Sequence, residues 1–341
     1  MKKIQCAVIG CGRIGCSFDD AAKNRTIMTH AGSYFYNSKT NLVALCDVDK
    51  SKLNKYGKKY SVSKLFDDPN ELFKNIDLDC VSICTHANSH LELVKIAAKN
   101  GIKAIFLEKP ISNSLSNSLQ IIEICKKNKI KLLIDHQRRF DPFFINLKKF
   151  VNNEIGKIQT INIIYGGGIV NTGTHIIDLL RYFFGEISSV NASLSQNPSS
   201  NSLDPNLDGK IIFKNKIPCF LQALDISHYG FLEMQIFGTK SVLKINLTNN
   251  DIEYRLVSKK PSLAYKTLEI KNLNFKKSKK SAIFLGVENL VTSISNKSTL
   301  LCTGQDGLKS LEGVISLIKS AKSGQSITIP LKITDYQISS K

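Results

Sequence analysis

The sequence predicts an α/β protein with two domains, a parallel-sheet domain followed by an α+β domain with an open, mainly antiparallel sheet. Three observations support this prediction. The chain has 341 residues, 42% of them hydrophobic and 22% charged, which is enough for two globular cores. Residues 1–135 alternate short apolar runs with helical periodicity, as parallel sheets do. From 136 to 341 most apolar runs have the period of two that is typical of antiparallel strands.

The first strand runs directly into a glycine-rich turn. Residues 4–9 are mostly apolar, and Gly10-Cys11-Gly12-Arg13-Ile14-Gly15 follows without a spacer. This order is the dinucleotide-binding, or Rossmann, pattern of strand, tight turn and helix start, whose backbone amides hold phosphates. We therefore predict that a dinucleotide is bound by Gly10, Gly12, Arg13, Ile14 and Gly15.

The second strand ends in Asp47, whose carboxylate can accept hydrogen bonds from a ribose. Asp47 lies further from the glycines than the usual spacing of about 20 residues. Extra loop or helix is therefore expected in residues 16–37, with an insertion near 19–25. In the alternative interpretation, Asp47 only starts a turn. A carboxylate there favours NAD over NADP, although Arg13 and Lys50 leave room for a phosphate.

The remaining apolar runs predict the rest of the first domain. Helices are predicted at 49–60, 89–100 and 115–128, with a short helix from 68, and strands at 64–66, 78–85, 103–107 and 131–135. Ligands of such sheets lie at the carboxyl ends of the strands. Residues 10–15, Asp47, 85–90 and 108–110 all fall at those ends.

The second domain is predicted to mix helices with strands. Helices are expected at 142–152, 174–184, 282–296 and 307–323, and strands at 157–165, 188–194, 210–213, 219–227, 231–237, 242–245 and 326–329. Residues 195–208 are rich in Asn, Ser and Pro and are expected to form a surface loop.

Charge, apolar runs and cysteines exclude several classes of protein. The net charge is +19, but the lysine pairs are scattered and lack interleaved aromatic residues, so we predict no nucleic-acid partner. Such a charge is compatible with an anionic small substrate.

No run reaches the roughly 18 apolar residues of a membrane helix, and the N-terminal run is too short for a signal peptide. A cytoplasmic protein without a membrane partner is expected. Nine cysteines without a Cys-x-x-Cys pair predict no metal site.

Glu108-Lys109-Pro110 follows a predicted strand and is the strongest catalytic candidate. A lysine at this edge can donate a hydrogen bond to a reacting oxygen and stabilise negative charge on it. Taken alone, the tripeptide is better interpreted as a loop with a solvated lysine.

The motifs, taken in chain order, resemble those of the Gfo/Idh/MocA family of oxidoreductases. They are Gly10-x-Gly12-x-x-Gly15, Asp47, Cys84-Thr85 with His90, Glu108-Lys109-Pro110, Gly173-Thr174-His175-Ile176-Ile177-Asp178, 235–240 and 304–309. The resemblance implies a Rossmann domain and a C-terminal domain whose open sheet makes subunit contacts. It also implies a nicotinamide cofactor and a sugar, cyclitol or nucleotide-sugar substrate.

The resemblance also implies catalytic roles for three residues. His175 becomes the general base and Lys109 supports the reacting oxygen. Alternatively, His175 and Asp178 are only a hydrogen-bonded pair at a helix start. Many family members have an aspartate four residues before this histidine, whereas this chain has Asn171. An amide can orient an imidazole but cannot stabilise its protonated form with a full charge.

Other residues are assigned to the cofactor and the substrate by the same resemblance. Thr85, His90 and Glu108 are expected near the cofactor, although His90 can instead serve the helix start. Arg138 or Arg139 can bind a carboxylate or phosphate, or can pair with Asp141. The run Gly166-Gly167-Gly168 by itself suggests a backbone close to the substrate at Gly168, or only the exit of a strand.

We therefore expect an NAD(P)-dependent oxidoreductase that acts on a secondary alcohol or ketone, and that assembles as a homodimer or homotetramer. The alternative is a non-catalytic protein of the same fold that binds the dinucleotide as a sensor.

Overall fold

The computed structural model describes residues 2–20, 26–260, 264–295, 298–333 and 335–339. The chain forms two compact units. The first unit contains residues 1–141, 278–309 and 333–337, and the second contains 142–277, 310–332 and 338–341. This grouping differs from the predicted division at residue 135, because the chain returns to the first unit after the second sheet.

The first unit is built on a six-stranded parallel sheet. Its strands are β1 (Ile4–Ile9), β2 (Thr40–Cys46), β3 (Lys64–Phe66), β4 (Cys80–Ile83), β5 (Ala104–Leu107) and β6 (Lys131–Ile134). The spatial order is β3-β2-β1-β4-β5-β6, so the order reverses between β1 and β4. At such a reversal, ligands lie outside the carboxyl ends of the strands.

Helices connect these strands. They are α1 (His30–Tyr36), α2 (Lys50–Lys59), α3 (Pro69–Asn75), α4 (His90–Lys99) and α5 (Leu115–Lys127). Local chemistry fixes where several begin. Asp49 accepts hydrogen bonds from the backbone of Ser51 and Lys52 at the start of α2, and Asp68 caps α3 in the same way. β4 and β5 are buried throughout, as expected for strands covered on both faces.

The segment between β1 and β2 differs from a simple strand–helix unit. Residues 13–16 form a single turn, in which the N–H of Cys16 donates to the carbonyl of Gly12 at 2.9 Å, and a short 3-10 helix follows at Ser17–Asp20. The backbone of His30 and Ala31 then donates to the carbonyls of Ile14 and Gly15, at 3.1 and 3.0 Å. α1 therefore docks directly on the glycine-rich turn, which explains the long spacing to Asp47. Residues 21–25 of the predicted insertion lie outside the described residues.

The second unit is built on a nine-stranded mixed sheet. Its elements begin with α6 (Pro142–Glu154), β7 (Ile158–Tyr165), α7 (Gly173–Phe184) and β8 (Ile187–Leu194). The remaining strands are β9 (Leu207–Phe213), β10 (Pro218–Ala223), β11 (Glu233–Gly238), β12 (Ser241–Asn246), β13 (Asp251–Val257), β14 (Leu268–Lys271) and, near the C-terminus, β15 (Ile327–Thr328). The spatial order is β14-β13-β12-β11-β7-β10-β9-β8-β15.

Within this sheet, β7 and β10 pair in parallel and the other recorded pairs are antiparallel. The buried residues alternate along the strands, and helices cover one face. Phe184 of α7 packs on Phe213 of β9 with ring centroids 5.8 Å apart, and Phe150 of α6 packs on Tyr254 of β13 at 5.2 Å. The predicted fold class is confirmed. The sequence prediction missed β13 and β14, because charged residues interrupt their apolar pattern.

The C-terminal helices explain why the first unit contains residues 278–309. α8 (Ala282–Ile294) packs against α1, β5 and β6. A Cβ at Gly286 would lie 2.7 Å from the ring of Phe106, so glycine permits this close packing. α9 (Gly304–Ser323) has its first residues in the first unit and the rest in the second. Among the described helices, none has the length and apolar character needed to cross a bilayer. The cytoplasmic location stays a prediction.

Candidate functional site

The three glycines of the first turn have different surroundings. A Cβ at Gly15 would lie 1.9 Å from the carbonyl oxygen of Gly10. Gly10 itself has φ +97°, and a Cβ there would lie 2.7 Å from the carbonyl oxygen of Cys84. A Cβ at Gly12, by contrast, would meet nothing within 4 Å. Gly10 and Gly15 are therefore needed for packing, while the open space at Gly12 fits the close approach of a pyrophosphate.

Two further residues of this turn were predicted to contact the cofactor. Arg13 is exposed, and its guanidinium lies 5.1 Å from the ring centroid of Phe18. Ile14 is half-buried, and its carbonyl accepts the backbone N–H of His30. The side chain of Arg13 is thus available at the surface beside the turn.

Asp47 ties the end of β2 to the glycine-rich turn. Its Oδ2 accepts the backbone N–H of Cys11 at 2.6 Å, and its Oδ1 accepts that of Asp49 at 2.9 Å. The turn role suggested as the alternative is therefore present. Because the carboxylate is only half-buried and adjoins the turn, ribose binding is compatible with it.

Thr85 and His90 follow β4. The hydroxyl of Thr85 bonds to that of Ser89 at 2.7 Å. His90 is fully buried, with its ring nitrogens 3.2 Å from the carbonyl oxygens of Thr85 and Ile111. Burial lowers the pKa of His90 to about 4, so its neutral ring donates to only one of these carbonyls at pH 7. This placement fits the alternative structural role of His90.

Glu108 belongs to a buried cluster that sequence reasoning missed. Nε2 of His30 lies 3.0 Å from Oε1 of Glu108 and 3.6 Å from Oδ2 of Asp135. Nδ1 of His30 lies 2.9 Å from the hydroxyl of Ser82, which orients the ring. We call His30, Glu108 and Asp135 the buried acid–histidine cluster. No described residue donates a hydrogen bond to Oδ1 of Asp135.

The cluster also fixes the backbone at Lys109. Oε2 of Glu108 accepts the backbone N–H of Lys109 at 3.3 Å, and the Lys109–Pro110 peptide bond is cis. Glu108 is thus held by His30 on one oxygen and holds the chain at Lys109 with the other. The sequence analysis expected Glu108 near the cofactor. In the structure the residue is only 7% exposed, and its carboxylate faces the cluster.

The ionisation of the cluster follows from burial and mutual charge. Burial and the neighbouring Asp135 raise the pKa of Glu108 to about 7. Burial alone would lower the pKa of His30, but Cys84 and the two carboxyl groups raise it well above its ordinary value. Burial opposes ionisation of Asp135, yet its bond to His30 lowers the pKa of that carboxyl. At neutral pH, His30 is therefore expected to be an imidazolium paired with the Asp135 carboxylate. Glu108 takes up a proton as the pH falls through about 7.

The same three side chains offer one nitrogen and two oxygen ligands, all within 4.8 Å of one another. Among the described residues, this is the group of side chains that lie close enough together to hold a metal ion. The sequence analysis predicted no metal site. His30 and Glu108 already lie at hydrogen-bonding distance, so a proton is sufficient to bridge them. No single local motif contains all three residues, because they belong to distant parts of the chain.

In the second unit, Gly168 and Asn171 lie in one turn. Residues 168–172 form a π-helical turn that leads into α7, and Gly168 has φ +88°. A Cβ at Gly168 would lie 2.2 Å from Cγ of Asp204, so the close approach predicted there is an approach to Asp204. The side chain of Asn171 is exposed.

His175 lies on the first turn of α7. It is half-buried on a helix that is otherwise almost fully buried. Asp178, its proposed partner in the alternative interpretation, is 1% exposed and accepts a hydrogen bond from the hydroxyl of Ser310 at 3.1 Å.

Of the two candidate arginines, Arg139 is 8% exposed and Arg138 is half-buried. Nη1 of Arg139 lies 3.1 Å from Oδ1 of Asp306. The structure therefore gives Arg139 a carboxylate partner from α9, whereas the sequence suggested Asp141. The substrate role of Arg138 or Arg139 stays a prediction.

Comparison with known proteins covers both units. The model of an oxidoreductase family described as "NAD-binding Rossmann fold" matches residues 4–136, and that of the family's C-terminal alpha/beta domain matches 161–331. Myo-inositol 2-dehydrogenase of Thermotoga maritima is 34% identical over 52% of this chain, and the aligned part spans 54% of that relative's length. The scyllo-inositol 2-dehydrogenase (NAD(+)) of Bacillus subtilis is 26% identical over 97% of both chains.

Solved structures share the fold. The WlbA dehydrogenase of Bordetella pertussis, crystallised with NADH and UDP-GlcNAcA, superposes with a TM-score of 0.78 at 17% identity. The superposition covers 97% of this chain and 100% of that one. Levoglucosan dehydrogenase, crystallised with NADH and L-sorbose, gives 0.77 at 18% identity, with 97% and 100% covered.

Proposed function

Because the chain belongs to the Gfo/Idh/MocA family of oxidoreductases, with its NAD-binding Rossmann fold, we propose that it is a dehydrogenase of a sugar, cyclitol or nucleotide-sugar. The reaction interconverts a secondary alcohol and a ketone. The observation that carries this proposal is the glycine-rich turn, where Gly12 alone of the three glycines is open and two are packed tightly. That turn adjoins the carboxyl end of β4, next to the strand that leads into Lys109.

The residues of the first unit fit a dinucleotide. We infer that the amides of 10–15 hold its phosphates and that the Asp47 carboxylate binds the adenosine ribose. Since this carboxylate would repel a 2′-phosphate, NAD is favoured over NADP. A bound NAD would supply the acceptor for the hydride of the substrate carbon. Thr85 is a further contact in this proposal.

The chain's own residues handle the oxygen and its proton. Lys109 donates a hydrogen bond to the substrate oxygen and stabilises negative charge on it. His175 takes the hydroxyl proton, since an ordinary imidazole titrates near pH 6.5. Asn171 orients the substrate or the imidazole through its amide. Arg138 binds an anionic substituent where the substrate has one.

The substrate class is supported by the relatives. The proteins similar in sequence include dehydrogenases of inositols, D-apiose and D-glucosides. All these substrates are polyhydroxylated rings or sugars, in which a base and a hydrogen-bond donor can act on one of several hydroxyls. We therefore favour a polyhydroxylated ring or sugar over other alcohols.

The test is hydride transfer by the purified protein. NADH absorbance is followed with NAD and with NADP across inositols, aldoses, uronic acids and nucleotide-sugars. Lys109→Ala should abolish turnover while NADH binding persists, and Lys99→Ala, at an exposed lysine of α4, should leave turnover unchanged. Equal turnover in Lys109→Ala and wild type would overturn the catalytic assignment. Tight NADH binding without turnover on any substrate would favour the sensor alternative.

We also propose a homodimer or homotetramer that assembles through the outer face of the nine-stranded sheet. Along its central strands this face carries Ile164, Phe220, Phe237 and Val242, among polar neighbours. Phe220 is 38% exposed, which is unusual for so large a side chain in the middle of a sheet. Sedimentation equilibrium gives the assembly state, and a monomer at micromolar concentration would contradict the proposal.

A further inference from the structure

Asp204 belongs to the loop 195–208, which its composition marks only as a surface loop. The structure shows instead that Asp204 is 3% exposed and packed against the turn that carries Asn171. Buried carboxylates are rare unless they are hydrogen-bonded or paired. Its position therefore needs an explanation.

Residues 204–206 bind the backbone of four consecutive residues. The N–H of Val170 donates to Oδ1 of Asp204 at 2.6 Å, and the N–H of Asn171 donates to Oδ2 at 2.8 Å. The two preceding amides, of Gly168 and Ile169, donate to the Asn206 side chain and the Pro205 carbonyl, each at 3.0 Å. Asn206 is anchored in turn by donating to three backbone carbonyls, those of Asn197, Pro198 and Leu224. The 204–206 segment thus holds the whole turn before α7.

Asp204 brings a negative charge to the backbone of the position at which the family pattern has an aspartate. The aspartate expected four residues before His175 is replaced by Asn171, and the Asp204 carboxylate bonds to the backbone of that same residue. A carboxylate at the start of a helix is stabilised by the helix dipole. It also stabilises a protonated imidazole about one turn further along.

Other charged groups of this region have their own partners. On α7, Asp178 accepts from Ser310, and Arg181 pairs with Glu186, with Nη2 and Oε1 2.9 Å apart. In the loop, Asp208 accepts the backbone N–H of Ala223 at 2.7 Å. The carboxylate that accepts the backbone N–H of Asn171 is thus that of Asp204.

We propose that Asp204 is a positioning residue that fixes the turn 168–171 and supplies the negative charge that Asn171 lacks. The proposal rests on the proposed role of His175 as the base. It predicts that the charge of residue 204, and not only its shape, controls the proton affinity of His175.

The first test measures the turn without any catalysis. Hydrogen exchange of the peptide covering 166–175 is compared in wild type, Asp204→Asn and Asp208→Asn. The Asp208 variant removes a carboxylate that also accepts a backbone N–H, but one outside this turn. Exchange should accelerate at least tenfold in Asp204→Asn only. Equal protection in all three proteins would overturn the positioning role.

The second test measures the charge. The imidazole of His175, assigned through His175→Gln, is titrated by NMR with and without NADH. At an effective dielectric constant near 20, two unit charges about 12 Å apart attract by about 1.4 kcal/mol, which corresponds to one pKa unit. The pKa of His175 should therefore fall by about one unit in Asp204→Asn and return in Asn171→Asp/Asp204→Asn. An unchanged pKa in Asp204→Asn would overturn the electrostatic role.

Kinetics link this result to the reaction once a substrate is known. Asp204→Asn should lower kcat at least tenfold with little change in KM, and Asn171→Asp should restore most of it. Failure of that rescue would contradict the electrostatic role of Asp204. If Asp204→Asn does not fold, the single variant Asn171→Asp serves, since a second carboxylate should raise the pKa of His175. The exchange and NMR results stand even if no substrate turns over, so the two proposals can fail separately.

Discussion

Replacing Glu108 by glutamine should change how the stability of the protein depends on pH. Glutamine keeps the shape of the side chain and can still bond to His30, but it cannot ionise. In the wild type, the pKa of Glu108 is raised from 4.5 to about 7 by burial and by Asp135. The folded protein therefore binds the Glu108 proton more tightly than the unfolded chain does.

The sign of the effect follows from linkage. Where the folded state binds more protons, the free energy of unfolding falls as pH rises. The contribution of Glu108 is fully present below about pH 4.5 and is lost by about pH 7. At 1.36 kcal/mol per pKa unit, the wild type should lose roughly 2 kcal/mol between pH 5.0 and 6.5 through this group. His30, whose pKa is also raised, adds a loss mainly above pH 6.5, and Asp135, whose pKa is lowered, acts in the acid range.

The measurement is urea denaturation at pH 5.0, 5.5, 6.0 and 6.5. The chain has no tryptophan, so unfolding is followed by far-UV circular dichroism. Glu108→Gln should have a flatter pH dependence than wild type by roughly 2 kcal/mol across this range. Glu123→Gln, which removes an exposed carboxylate from α5, should keep the wild-type slope. Parallel slopes for wild type and Glu108→Gln would refute the reasoning, and with it the ionisation assigned to the buried acid–histidine cluster.

Two further predictions concern the cofactor turn. Gly15→Ala should lower the melting temperature by several degrees and abolish NADH binding, because its Cβ would lie 1.9 Å from the carbonyl oxygen of Gly10. Gly12→Ala should leave the melting temperature within about two degrees of wild type but weaken NADH binding at least tenfold by calorimetry. If the variant and the wild type bind NADH with equal affinity, no pyrophosphate lies at this residue. Asp47→Ser should narrow the preference for NADH over NADPH at least tenfold in the same assay, with circular dichroism checking that the lost bond to Cys11 does not unfold the turn. An unchanged preference would contradict the ribose assignment.

The sequence by itself determined the helices and strands whose patterns are local. The run 4–9 with its glycines, the N-terminal caps of α2 and α3 and the amphipathic α7 each contain their own signal within a few residues. The ordered motifs also determined the family, which the family models confirm over most of the chain. The prediction was less complete for β13, where charged residues alternate through a strand near the edge of the sheet.

Only the tertiary structure decided which polar residues meet. His30 and Asp135 are 78 and 27 positions from Glu108, and Asp204 is 33 from Asn171, so no spacing rule relates them. Parallel strands bring the ends of β5 and β6 side by side, and α1 brings His30 to the same place. Burial then sets their chemistry, because removing water strengthens hydrogen bonds and shifts pKa values in ways that composition does not reveal. The same reason applies to Asp204, whose loop has the composition of a solvent-exposed segment but whose carboxylate accepts the backbone N–H groups of Val170 and Asn171 in the folded chain.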